Sequence, residues 1–179
     1  MICRTATRAL LALAVTASLA ACGSDEEPAA AAGSAGSACE TQPPSSEAPA
    51  GVSTDLAVKP VAPCFDAAPP ADLVTSDVVV GSGAEAVEGS AVELKYAGTI
   101  YETGEEFDSS WSRGVDEILP VTVGEGRVIP GFEQAVYGMR EGGRRIVTIP
   151  SELGYGSQGT GPIPGDATLV FVLDLVSVG

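Results

Sequence analysis

Ala91-Val92-Glu93-Leu94-Lys95-Tyr96-Ala97-Gly98-Thr99-Ile100-Tyr101 alternates apolar and polar side chains along most of its length. Successive side chains of a strand point to opposite faces. Val92, Leu94, Tyr96 and Gly98 therefore share one face, and Glu93, Lys95, Ala97 and Thr99 the other, the pattern of a half-buried strand. Glu102-Thr103-Gly104-Glu105 then reads as a turn. Glu106-Phe107-Asp108-Ser109 returns as a short strand that breaks into a loop.

Working outward, Val78-Val79-Val80 is a short β-branched run closed by Gly81-Ser82-Gly83, hence a first strand. Leu119 to Val123 is another, ended by Gly124-Glu125-Gly126. Arg144 to Ile149 alternates again, with Arg145, Val147 and Ile149 opposite Arg144, Ile146 and Thr148, and Pro150 stops it. Thr168 to Val178 is a final long strand. The one helical stretch begins at Pro130-Gly131-Phe132 and runs to about Tyr137. Phe132, Ala135 and Val136 share a face, and Gly138 can end it. So short a helix has little stability alone and must lie across the sheet. The fold class is α+β, a mostly antiparallel sheet with one short helix. Ser151 to Asp166 forms a long Gly/Pro loop, of a length that tends to be functional.

The chain has 179 residues, enough for one domain and extra segments. Hydrophobic residues make up 45%, but many are alanines in the first fifty positions, which build no core. The aromatic residues lie almost wholly after residue 90, so the folded domain is expected over 73–179, long enough for a single core. The formal charge of −15 excludes a basic nucleic-acid footprint. The chain has no histidine, which removes imidazole acid-base chemistry, Ser-His-Asp triads and the commonest metal ligand.

Arg4 and Arg8 precede an apolar run from Ala9 to Ala21 that is too short for a membrane span. A basic start, an apolar middle and small residues at the end read as an export signal over 1–21. Leu19-Ala20-Ala21-Cys22 resembles the bacterial lipobox, which implies cleavage before Cys22 and lipid attachment to its sulfur. An ordinary signal with an incidental cysteine is the alternative. A diacylated Cys22 would hold the protein at the membrane, on its extracytoplasmic face.

Residues 22–72 are rich in Ala, Pro, Ser, Gly and acids, with few large apolar side chains. Such a segment buries too little surface to offset its ordering entropy, so it reads as a flexible tether, with a small extra subdomain as the alternative. Cys39 and Cys64 remain once Cys3 leaves with the signal and Cys22 is modified. An oxidising space can pair them, at a stabilisation of about 3 kcal/mol. A thiol metal site needs more ligands than these two.

Five motifs occur in order: Tyr96-Ala97-Gly98, Glu106-Phe107-Asp108-Ser109-Ser110, Val128-Ile129-Pro130-Gly131-Phe132, Gly154-Tyr155-Gly156 and Ala167-Thr168-Leu169-Val170-Phe171. Together they resemble the FKBP family of peptidyl-prolyl cis-trans isomerases over roughly residues 73 to 179. The resemblance implies a curved antiparallel sheet wrapped around the short helix, with an apolar pocket between them. It implies that Tyr96, Phe107, Phe132, Tyr155 and Phe171 line that pocket, with Phe132 at its floor where many members carry Trp. Val128 and Ile129 would form the loop beside it, with the Ile129 N–H a donor to ligand. Asp108 and Arg113 would sit at the wall, although a purely structural ion pair is the other reading of these two. Ile163 would overhang the site.

By the same resemblance the Tyr155 hydroxyl and the Ile129 N–H hold the substrate backbone, and Asp108 orients or polarises the reacting bond. No cofactor and no metal are called for. The expected partners are unfolded or partly folded exported proteins with X-Pro bonds, a macrolide inhibitor being a further ligand class; no nucleic acid is expected, and the protein is expected to act as a monomer. Three positions depart from the family. Leu119 stands in place of a common aromatic, Thr160 where some members have His, and Gly165 where a second Pro is frequent. Leu119 favours a roomier wall and, as an alternative function, a low-turnover binding module or holdase. Gly165 suggests a looser overhanging loop. Trp111 is open as an exposed substrate contact, and Tyr101 and Tyr137 as surface or packing residues.

Overall fold

A computed structural model describes residues 39–179. The signal region 1–21 and the lipidation candidate Cys22 lie outside the described residues. Seven elements follow in order: β1 (Val74–Val79), β2 (Ala91–Ile100), β3 (Glu106–Ser109), β4 (Leu119–Thr122), α1 (Pro130–Val136), β5 (Arg144–Ile149) and β6 (Leu169–Val178). The strands form one 6-stranded sheet in the order β1-β5-β6-β2-β3, and β4 also pairs with β2. All pairings are antiparallel. The elements expected from sequence are all present. The first begins earlier than its valine run indicated, at Val74, because Val74 to Ser76 pair with Thr148 to Ile146 of β5.

One face of the sheet carries the helix. Phe132, Ala135 and Val136 of α1 share a core with Leu94, Val147, Ile149, Leu169 and Leu173. The helix is fixed there by Arg145 of β5. Its guanidinium donates to the Ala135 carbonyl at 2.8 Å and the Tyr137 carbonyl at 3.2 Å, satisfying acceptors that a helix end leaves unpaired. Asp77 of β1 holds the same guanidinium at 2.7 and 3.0 Å.

The opposite face is also covered. Ile146, Val170 and Val172 pack with Tyr101, Ala62 and Phe65, and Val52 and Val78 flank them. Phe65 stacks on Tyr101 with ring centroids 5.0 Å apart. Tyr101 is thus a fully buried packing residue, whereas Tyr137 is exposed. Every residue of β6 from Leu169 to Leu175 is buried, as in a strand covered on both faces. Ala97 and Thr99, expected on the outward side of β2, are buried as well.

The flexible tether expected over 22–72 therefore does not hold from Cys39 onward. Residues 39–72 form a mostly irregular arm seated on the back of the sheet. Two devices supply the ordering that its small side chains cannot. Cys39 and Cys64 are bonded across a sequence separation of 25, and Glu40 bridges to Phe65 beside them. Arg144 of β5 is the second device. It is fully buried, makes a two-point pair with Asp174 of β6 at 2.5 and 2.7 Å, and donates to the Ser53 carbonyl at 2.6 Å and the Val58 carbonyl at 3.1 Å. One planar cation thus joins two core strands to the arm, a use suited to the fork geometry of arginine.

Removing one partner of a buried ion pair leaves the other charge uncompensated. Arg144→Ala should therefore cost about 3–5 kcal/mol in equilibrium urea unfolding. It should also expose the arm to limited proteolysis between Ser53 and Val58. A midpoint and cleavage pattern equal to wild type would contradict this role.

Candidate active site

Between α1 and the sheet lies a cavity of about 630 Å³, within the range of small-ligand sites. β2 contributes Tyr96 to its lining, β3 Phe107 and Asp108, β6 Phe171 and α1 Phe132. Phe171 sits at the centre of the ring set, 5.4 Å from Phe107, 5.4 Å from Phe132 and 6.3 Å from Tyr96. Phe107 and Phe132 meet it edge-on at 83° and 88°, and Tyr96 meets Phe132 at 88°. Edge-to-face contact is a preferred aromatic geometry and leaves the rings unable to collapse into a flat stack. Gly98 makes room for the set. A Cβ there would stand 2.7 Å from both Phe107 and Phe171, so only glycine lets both rings lie over β2.

At one side of the rings, Tyr96, Asp108 and Arg113 form a closed triangle. The Tyr96 hydroxyl donates to Asp108 Oδ2 at 2.5 Å. Arg113 donates to Asp108 Oδ1 at 2.6 Å and to the Tyr96 oxygen at 2.9 Å. The Ser109 N–H adds a fourth contact at 2.8 Å. Burial pushes the Asp108 carboxyl up, but the hydrogen bonds from Tyr96 and Arg113 and the nearby guanidinium charge outweigh it and hold the group below its ordinary range. The Tyr96 phenol is raised, first by burial and then by its bond to Asp108. Arg113 is raised by its bonds to Tyr96 and Asp108. Near neutral pH the triangle holds a carboxylate acceptor, a neutral phenol and a cation. Asp108 is thus committed to fixing the Tyr96 ring, and the ion-pair reading of Asp108 and Arg113 is compatible with that task.

The opposite wall is the stretch from Arg127 to Ile129. Ile129 caps α1, its carbonyl accepting from the N–H groups of Phe132 and Glu133 at 3.0 and 3.2 Å. Among the described residues its own N–H has no hydrogen-bond partner. Glu133 of α1 steadies the preceding turn by accepting from the N–H groups of Gly124 and Gly126 at 2.8 and 3.1 Å. The Tyr155 ring reaches the cavity from the long loop, and its hydroxyl likewise has no partner among the described residues. Burial raises its phenol, and the Asp108 charge adds to this. Two residues with an unused donor among the described residues thus line the cavity.

Of the residues expected at the site, Tyr96, Phe107, Asp108, Leu119, Val128, Ile129, Phe132, Tyr155, Ile163 and Phe171 line this cavity. Arg113 does not line it and acts through Tyr96 and Asp108. Thr160 lines the cavity as well. Trp111, open as an exposed contact, is half-buried and does not line the cavity: Lys95 lies 4.6 Å over its ring, and its buried indole N–H has no partner among the described residues. One expectation needs correction. Gly165 does not loosen the overhanging loop. A Cβ there would meet the Ser157 carbonyl oxygen, and the loop is tied by Thr160 and Ile163 to each other and by Asp166 to Gly156. Arg127, Gly161 and Pro162 also line the cavity and went unread. They lie outside the aromatic motifs, and no periodicity marks a loop residue as inward-facing.

Residues 83–176 match the family of FKBP-type peptidyl-prolyl cis-trans isomerases. A probable FK506-binding protein of Corynebacterium glutamicum is 49% identical over 108 residues, 60% of this chain and 88% of its own length. An FK506-binding protein of Streptomyces anulatus is 48% identical over 113 residues, 62% of this chain and 89% of its own. The solved structure of AtFKBP13 is 35% identical and overlays with a TM-score of 0.56, covering 62% of this chain and 96% of that one. With its sheet, its short α-helix and the extent of these matches, the chain belongs to the FKBP-type peptidyl-prolyl cis-trans isomerase family.

Proposed function

We propose that this protein speeds rotation about X-Pro bonds of exported, incompletely folded proteins. It does so from a lipid anchor at Cys22 on the extracytoplasmic face of a bacterial membrane. The observation that carries the catalytic part is a ring-walled cavity lined by Ile129 and Tyr155, whose N–H and hydroxyl have no partner among the described residues. The export part rests on the signal pattern over 1–21 and the Leu19-Ala20-Ala21-Cys22 motif. A bonded Cys39–Cys64 pair fits an oxidising compartment.

Rotation about an X-Pro bond is slow because amide resonance gives the C–N bond double character, with a barrier of about 18–20 kcal/mol. Resonance places negative charge on the carbonyl oxygen, and water stabilises that planar form. A cavity walled by Phe107, Phe132 and Phe171 removes the water and weakens the resonance. The Ile129 N–H and Tyr155 hydroxyl hold the backbone on either side of the proline. The braced Tyr96 ring keeps its wall in place while the imide twists. Catalysis is then tighter binding of the twisted form than of the planar one. No group need exchange a proton or form a covalent bond with substrate. Leu119 leaves one wall aliphatic, the feature that favours the second reading, a holdase of low turnover.

A protease-coupled assay on an X-Pro peptide separates the two, and a rate equal to the uncatalysed one leaves only the holdase. In that assay Phe132→Ala should abolish most turnover and cost about 3–5 kcal/mol of stability. Tyr155→Phe keeps the ring and should leave stability unchanged while lowering kcat/KM roughly three- to tenfold, the worth of one neutral hydrogen bond. Unchanged turnover in Tyr155→Phe would remove the hydroxyl from the mechanism.

The titrating groups at the cavity also set a pH profile. Asp108 lies below its ordinary range and the phenols of Tyr96 and Tyr155 above theirs. Exchange NMR should therefore find kcat/KM flat between roughly pH 5 and 9. Because the folded Asp108 pKa is depressed, its stabilisation is present above the unfolded value of about 3.9 and is lost as pH falls through the folded one. An activity limb inside the flat window would contradict these assignments.

A further inference from the structure

Arg127 stands apart from the other arginines. Arg113, Arg140, Arg144 and Arg145 all donate hydrogen bonds to protein acceptors, whereas Arg127 makes none among the described residues. Its one tie is an ion pair from Nε to Glu125 at 2.8 Å, with the Arg127 side chain 75% exposed. Exposed pairs of this kind are weakly held. Both terminal nitrogens of its fork are therefore available.

Its position gives that availability a use. Arg127 lines the ring-walled cavity and also a second groove of about 370 Å³ over β4 and the start of β2. Leu119 lines the first hollow and pairs with Leu94 on the helix side, whereas Pro120 lines the second and pairs with Glu93 on the other face, so Arg127 is the lining residue the two share. A chain whose proline sits in the cavity has Arg127 among the residues beside it. Asp108, the remaining charged group of the cavity lining, is paired with Arg113, and Glu93 of the groove lining accepts from the Ser177 hydroxyl at 2.7 Å.

We propose that Arg127 is a specificity residue that reads a carboxylate side chain flanking the substrate proline. This rests on the isomerase reading above. A guanidinium with free N–H groups matches a carboxylate at two points. The acid surplus of the whole chain repels an acidic peptide from a distance, but that effect is common to all variants and is screened at ordinary ionic strength.

The test uses the full exported chain and peptides of one length. Glu, Gln or Lys is placed in turn at each of three positions on either side of the proline, and exchange NMR reads kcat/KM. At one or more positions wild type should favour Glu over Lys by roughly two- to fivefold, the range of a partly exposed ion pair. Arg127→Gln should flatten the ratio there and Arg127→Glu should invert it, both effects shrinking in high salt. Turnover retained with the same Glu-to-Lys ratio in all three proteins overturns the role of Arg127 alone. Absence of turnover on every peptide overturns the isomerase reading, and this inference with it.

Discussion

The edge-on contacts that Phe171 makes with Phe107 and Phe132 set the terms for the rest of the molecule. They keep apart rings that hydrophobic collapse would otherwise close, and so preserve a hollow between the helix and the sheet. Each ring comes from a different element: β3, β6 and α1, with Tyr96 from β2. The hollow therefore exists only when sheet register and helix position are both correct. Arg145 fixes the helix on β5, and Gly98 frees the space over β2.

The back of the sheet serves the same end. β6 carries Phe171 toward the cavity and Val170 and Val172 toward the arm. An uncovered back face would leave an apolar strip on the strand that holds the central ring. The arm covers it with Ala62, Phe65 and Val52, and Arg144 ties the arm to β5 and β6 through the buried pair with Asp174. A buried ion pair is a poor source of net stability by itself. Here it organises, since the same guanidinium satisfies two arm carbonyls.

Much of this was legible in the residues. The alternation in β2 and β5 set the strand faces, and the five motifs in register brought the cavity rings into one site. What stayed hidden shares a cause. Ala97, Thr99 and Tyr101 look outward by period yet are buried, and Tyr101 packs against an arm whose composition argues for disorder. The disulfide and the Arg144 fork, neither of which shows in a hydropathy pattern, reverse that argument. The tight place of Gly165 follows from the close backbone approach of Ser157, and no sequence period reports such an approach. Arg127 was missed for the same reason.

The central claim is that the cavity prefers a twisted imide to a planar one. Calorimetric titration of the full chain with two matched prolyl ligands tests it most directly, one planar at the acyl-proline bond and one locked out of plane by a neighbouring carbonyl. The account predicts that the twisted ligand binds at least about a hundredfold tighter, the lower end for mimics of a transition state. Equal affinity for both would contradict it, because a site that holds the two forms alike cannot speed their exchange.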